Sequence, residues 1–112
     1  MSTKSLEQGD FIWVNFDPQK GHEQAGRRPA IVMSESSYNA RSNMIFVSPI
    51  THTVRKDPHH VELPKGEVFD GYIMVEQTKA LDVTARSFTF AGKLKDPKVL
   101  KAAKMILGII LE

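Results

Sequence analysis

Apolar residues along this chain fall in short runs separated by Gly, Pro, Asp and Asn, a rhythm that predicts strands. Phe11 to Phe16 (FIWVNF) follows the turn signal Gly9-Asp10 and reads as the first strand. Pro29 to Ser34, Met44 to Pro49 and His60 to Leu63 read as the next three, the last ended by Pro64-Lys65-Gly66. Gly71 to Gln77 is the fifth. Arg86 to Ala91 is the sixth and alternates, with Phe88 and Phe90 on one face and Ser87 and Thr89 on the other. Ser36 to Ala40 is expected to form a short helical turn between the second and third strands.

After Asp96-Pro97 the period changes. Asp96 suits an N-cap and Pro97 the first helical position. Val99, Ala103, Ile106 and Ile110 then recur at helical spacing, and Leu100, Leu107 and Leu111 widen the stripe. Lys98, Lys101 and Lys104 gather on another face, which reads as solvated helix surface. Ile109-Ile110-Leu111 is expected to pack on the sheet or on a second subunit. Short strands followed by one helix predict a mainly β fold with a C-terminal α-helix, a small curved antiparallel barrel, as a single domain over residues 1–112.

Composition narrows the function classes. The 112 residues are 41% apolar, enough for one modest core, and a partner chain would add buried surface. The net charge is only +2, so any phosphate contact must come from local clustering. There is no cysteine, which removes disulfides, thiolate metal sites and a cysteine nucleophile. The N-terminal MSTKSLEQGD lacks an apolar signal-peptide core, and the longest apolar stretch is too short for a bilayer, so a cytoplasmic protein without a membrane anchor is expected.

Two loops carry polar chemistry. Asp17 to Arg28 is long for a hairpin connection. Thr51 to His59 (THTVRKDPH) follows the third strand. If the second and third strands pair antiparallel, chain direction sets Arg28 and Thr51 at the same end of the sheet. Gly26 permits a bend, and Pro29 holds Arg28 extended, so the guanidinium fork is aimed. That fork matches two phosphate oxygens; a rim ion pair with Glu23 or Asp17 is the competing reading. Arg27 alternates to the other face as a solvated charge. The Thr51 hydroxyl suits a phosphate oxygen, or a simple turn or cap. His22, His52, His59 and His60 show no HxH or HxxxH spacing, so no metal site or cofactor is expected, and most read as surface residues. His22 and His52 draw notice only because they lie in the two loops. There is no Gly-rich phosphate loop and no nucleophile elbow.

The stretch GDFIWVNFDPQKGHEQAGRRPAIVMS resembles the opening of the MazF/PemK family of toxin endoribonucleases. The matching positions are Gly9-Asp10, Trp13-Val14, Asp17-Pro18, Glu23, Gly26, Arg28 and Pro29. VSPIT (Val47 to Thr51) resembles the next block, and VEQTKALD followed by Arg86 the third. The resemblance implies an SH3-like barrel with a C-terminal helix, a homodimer, and metal-independent cleavage of single-stranded RNA at a short sequence. It implies Arg28 and Thr51 as the catalytic pair, with Thr53 as the substitute if the register slips by two. Glu23, Gln24, His52, Gln77 and Lys79 become the expected RNA-binding positions, and His52 a candidate for proton transfer. The implied partner is an antitoxin with an acidic, disordered tail. Two other readings stand beside it: a toxin on the same fold that poisons DNA gyrase by binding, and an inactive binding domain. The gyrase-directed toxins act through an aromatic C-terminal end, whereas this chain ends Ile110-Leu111-Glu112.

Overall fold

A computed structural model describes residues 5–16, 27–53, 57–82 and 87–112. The strands are β1 (Asp10–Asn15), β2 (Arg27–Val32), β3 (Met44–Thr51), β4 (His60–Glu62), β5 (Tyr72–Met74), β6 (Lys79–Asp82) and β7 (Phe88–Lys93). Two α-helices, α1 (Ser36–Arg41) and α2 (Pro97–Ile110), and a 3₁₀ turn at Val75–Gln77 complete the described elements. All strand pairings are antiparallel, in the order β4-β5-β3-β2-β1-β7, with β6 alongside β3. The sheet is curved and does not close, so the expected barrel is an open one among the described residues.

Period-two alternation gives this sheet a core on each face. Phe11, Ile31, Ile50, Val61 and Ile73 point to one side and meet Val99 and Ala103 of α2. Ile12, Val14, Ala30, Val32, Ile45, Val47 and Leu81 point to the other, with Leu6 beneath them and Phe16, Phe88 and Phe90 at the margin. Both faces are therefore committed to burial over most of β1 and over the second half of β2, Ala30 to Val32.

The Gly9-Asp10 corner starts the sheet. Gly9 sits at φ +94°, where a side chain is strained, and its N–H donates to Val32 O at 2.8 Å while its carbonyl accepts from Leu94 N at 3.0 Å. Asp10 is buried; it accepts from Glu7 N and from Lys93 Nζ, both at 2.9 Å. Lys93 Nζ also donates to Glu7 Oε1 at 2.9 Å, and its hydrogen bonds to Asp10 first and Glu7 second raise the Lys93 pKa above its ordinary value. A sequence-level turn signal is thus also the clasp between β1 and the end of β7.

Helix α2 begins as expected. Asp96 caps it by accepting from Lys98 N at 3.0 Å, and Pro97 opens the first turn. Glu67 adds an unforeseen acceptor, taking hydrogen bonds from Lys95 N and Asp96 N at 2.9 Å each. For the far end two coverings were expected, the sheet or a second subunit. Ile109, Ile110 and Leu111 are exposed in the chain and do not pack on the sheet.

Two strand expectations are corrected. The fifth strand stops at Met74 rather than Gln77, because Val75–Gln77 turns as a 3₁₀ helix. Thr78 holds that turn, with its N–H and its hydroxyl both donating to Val75 O and the hydroxyl also sharing a 2.6 Å hydrogen bond with Ser48. The chain then re-enters the sheet as β6, a strand not anticipated from Lys-Ala-Leu-Asp. β3 accordingly changes partner along its edge, from β6 at Met44–Val47 to β5 at Ile50 and Thr51.

Candidate nuclease site

The register of the central strands places the two leading candidates. β2 and β3 pair Ala30 with Pro49 and Val32 with Val47; the paired stretch ends there, and the same register extended two places brings Arg28 level with Thr51. Arg28 also faces Val14 on β1, and Thr51 faces Tyr72 on β5. A row Val14–Arg28–Thr51–Tyr72 therefore crosses four strands at one end of the sheet, and residues directly opposed in this way share a face. It is the face of the second core, since Val14, Ala30 and Val47 belong to it.

Arg28 is exposed, and among the described residues its side chain makes no hydrogen bond or ion pair. The competing rim pair with Glu23 or Asp17 lies outside the described residues, as do Gln24, His22, Gly26, Arg55, Lys56 and Arg86. Arg27 does alternate to the opposite face, but it is not a free charge. It is half-buried and donates to Thr89 Oγ1 at 2.8 Å, linking β2 to β7 across β1. Adjacent arginines thus have different duties, one tied into the sheet and one available.

Thr51 is half-buried at the last position of β3. Its Oγ1 accepts from Thr53 N at 3.1 Å, which occupies a lone pair and leaves the hydroxyl proton free to be donated. Thr53 lies beyond the strand and is exposed; it supports Thr51 rather than taking its place in the row.

Lys79 opens β6 on the same face, paired with Val47, and its Nζ stands 5.4 Å from the centre of the Phe16 ring. Phe16 lies two residues beyond Val14 and packs against the second core. Gln77 ends the 3₁₀ turn and is exposed. His52 turns to the β5 side, where its Nε2 is 2.8 Å from Asp70 Oδ1, both side chains being largely in solvent. Arg28, Thr51 and Lys79 therefore share one face, with Gln77 nearby in the chain, while His52 is engaged by the loop before β5.

The histidines were expected to be mostly surface residues; His52 and His59 are, and His60 is the exception among the described residues. Its side chain is 1% exposed, with Nε2 at 3.1 Å from Glu76 Oε2 and 3.9 Å from Asp57 Oδ2. Ligand atoms of Asp57, His60 and Glu76 lie within 4.8 Å of one another. A metal-bound imidazole ordinarily donates its other N–H to a carbonyl or carboxylate; His60 Nδ1 is buried and has no partner among the described residues, so this group lacks that support there. Asp57 also accepts from His59 N at 2.8 Å, and that bond, ahead of its histidine neighbours, lowers its pKa. The cluster ties the turn before β4 to the 3₁₀ turn. Sequence spacing could not reveal it, because Glu76 joins the other two only through the β4–β5 pairing.

Comparison with known proteins follows this geometry. A family model described as PemK-like, MazF-like toxin of type II toxin-antitoxin system matches residues 7–110. Endoribonuclease toxin MazF of Escherichia coli K12 is 37% identical over 105 residues, spanning 94% of this chain and 93% of that protein. Endoribonuclease toxin ChpB of the same organism is 34% identical over 113 residues, spanning 94% of each. Among solved structures, MazF of Deinococcus radiodurans superposes with a TM-score of 0.82 at 32% identity, over 95% of this chain and 96% of that one. A MazE–MazF structure from the same organism gives 0.79 at 26% identity, over 95% and 94%. The match runs through the clasp at Gly9-Asp10, the β2–β3 row and the C-terminal helix alike, and this chain belongs to the PemK-like, MazF-like toxins of type II toxin–antitoxin systems.

Proposed function

We propose that this endoribonuclease toxin cuts single-stranded RNA at a short sequence, without a metal ion, through Arg28 and Thr51. The observation that supports the reading is the β2–β3 register, which, carried two places past Ala30–Pro49, brings a guanidinium with no partner among the described residues level with a hydroxyl that accepts from Thr53 N. RNA brings its own nucleophile. The 2′-hydroxyl oxygen attacks the adjacent phosphorus, its proton passes to solvent or base, and the 5′-oxygen leaves with a proton. The products are a 2′,3′-cyclic phosphate and a 5′-hydroxyl. Between them lies a crowded phosphorane whose added charge needs donors. Arg28 supplies fixed positive charge and a planar fork, and Thr51 donates to a non-bridging oxygen. Lys79 holds the strand electrostatically beside the Phe16 ring, on which a base can stack. Glu23, Gln24 and Gln77 read base edges, and His52 contacts the strand from the β5 side. The working unit is a homodimer, and the cognate antitoxin carries an acidic tail complementary to Arg28 and Lys79; a MazE–MazF assembly is the precedent among similar proteins. A gyrase-poisoning role is not favoured, since the similar proteins are endoribonucleases by name.

The test is cleavage of a long single-stranded RNA by purified protein in EDTA, with the new 5′ ends mapped. Discrete cuts are expected, and Arg28→Ala is expected to slow them about 10²–10³-fold, the usual cost of one transition-state donor. Cutting that requires added metal, or that is indifferent to Arg28→Ala, overturns the reading.

A further inference from the structure

We propose that the corner Asp70-Gly71 is a positioning device for Thr51, acting through the missing side chain of Gly71 and the Asp70–His52 pair; this rests on the reading of Thr51 as a catalytic group. Thr51 is the last residue of β3, where a strand ordinarily frays. Here the end is held from outside. Gly71 sits at φ +113°, and a Cβ on it would stand 2.3 Å from Thr51 O, 3.0 Å from Thr51 C and 3.3 Å from His52 Cα. All three are backbone atoms, so no side-chain rotation relieves the clash; the Thr51–His52 peptide itself would have to move. Gly71 is in turn fixed, because its carbonyl accepts from Leu63 N at 2.9 Å beside the β4–β5 pairing. The next residue, Tyr72, pairs with Thr51, and Ile73 with Ile50. One residue earlier, Asp70 Oδ1 holds His52 Nε2 at 2.8 Å.

The consequence is geometric. Thr51 Oγ1 is already anchored by Thr53 N, so the hydroxyl moves with the peptides on either side of residue 52. Displacing the Thr51 carbonyl shifts both the Oγ1 and the donor that orients it. A misplacement of about 1 Å at a reacting group costs on the order of 10²-fold in rate. Arg28 sits on β2, on the opposite edge of β3, and is not touched by this corner. Gly71 and Asp70 are positioning residues: Gly71 acts through the Thr51–His52 peptide, and Asp70 through His52, the residue that follows Thr51.

The experiment is a double-mutant cycle on a short single-stranded RNA oligonucleotide bearing a mapped cleavage site. Wild type, Gly71→Ala, Thr51→Ala and the double variant are compared by kcat and KM. Gly71→Ala is expected to lower kcat about 10–100-fold with KM within about threefold. In the Thr51→Ala background the same change is expected to cost less than about threefold, because the group it positions is gone. Equal losses in both backgrounds, or none in either, overturn the proposal while leaving the role of Thr51 intact. Full activity of Thr51→Ala overturns both. If Gly71→Ala loses the cooperative thermal transition, Asp70→Ala carries the test. It is expected to lower kcat several-fold, with recovery in Asp70→Asn, which keeps an acceptor for the imidazole N–H; an unchanged kcat in Asp70→Ala then overturns the proposal.

Discussion

Arg27 and Arg28 show how much one step along a strand decides. Both carry the same charge, but period-two alternation sends them to opposite faces. Arg28 has Val14 and Thr51 as row neighbours and no described partner, while Arg27 is held by Thr89. The alternation was readable from the sequence; the Thr89 hydrogen bond was not, because it spans 62 residues and depends on the β1–β7 register. His60 is the counterpart, a histidine whose burial against Glu76 no spacing marks, because the β4–β5 pairing brings the two together. For Arg28, charge and fork can be separated. Arg28→Lys keeps the charge but loses the planar pair of donors. It is expected to retain RNA binding within about threefold yet lose about tenfold or more in kcat, a substantial part of the Arg28→Ala loss. Near-wild-type kcat in Arg28→Lys would mean that charge alone suffices.

At the scale of elements, the strongest signals were the ones with a chemical cause at their ends. Asp96-Pro97 fixed the start of α2 because an Asx cap and a pre-set φ act locally. The strand from Gly71 to Gln77 was overextended because nothing in GYIMVEQ marks the break; the cause is Thr78, which turns its hydroxyl to Val75 O and Ser48. β6 was missed since Lys, Ala and Asp have low strand propensity, and only the open edge of β3 recruits them. The cap gives a direct test. Asp96→Ala removes the acceptor for Lys98 N and is expected to cost about 1 kcal/mol, a fall in Tm of about 4–8 °C for a chain near this size. Glu67 still serves the preceding N–H groups, so the helix persists and RNA cleavage at 25 °C stays within about twofold of wild type. Thermal unfolding and the cleavage assay check the two halves separately; a lost activity with an unchanged Tm would tie the helix start to the site.

Across the whole molecule, one sheet carries a core on each face, and the candidate site occupies the end where the second core runs out into polar residues. Chain direction put Arg28 and Thr51 at that end; it could not supply Tyr72, Phe16 or the Gly71 contact, each of which depends on how segments distant in the chain meet. The charge of the molecule bears on how it holds RNA. With 15 Lys and Arg against 13 Asp and Glu, the net charge is only +2, so there is no broad field to bind a polyanion along its length. The low charge argues for few phosphate contacts, and among the described residues Arg28 and Lys79 are the cations on the proposed site's face. Each phosphate neutralised on a single strand adds about −0.7 to the slope of log K against log salt. For two to four such contacts the slope is therefore expected between about −1.4 and −2.8, measured with Arg28→Ala to suppress turnover and adding back one contact for that loss. Lys79→Ala in the same background is expected to flatten the slope by about 0.7. A slope steeper than about −5 would place the strand across a much larger basic surface than Arg28 and Lys79 provide, and would move the RNA path away from the β2–β3 end of the sheet.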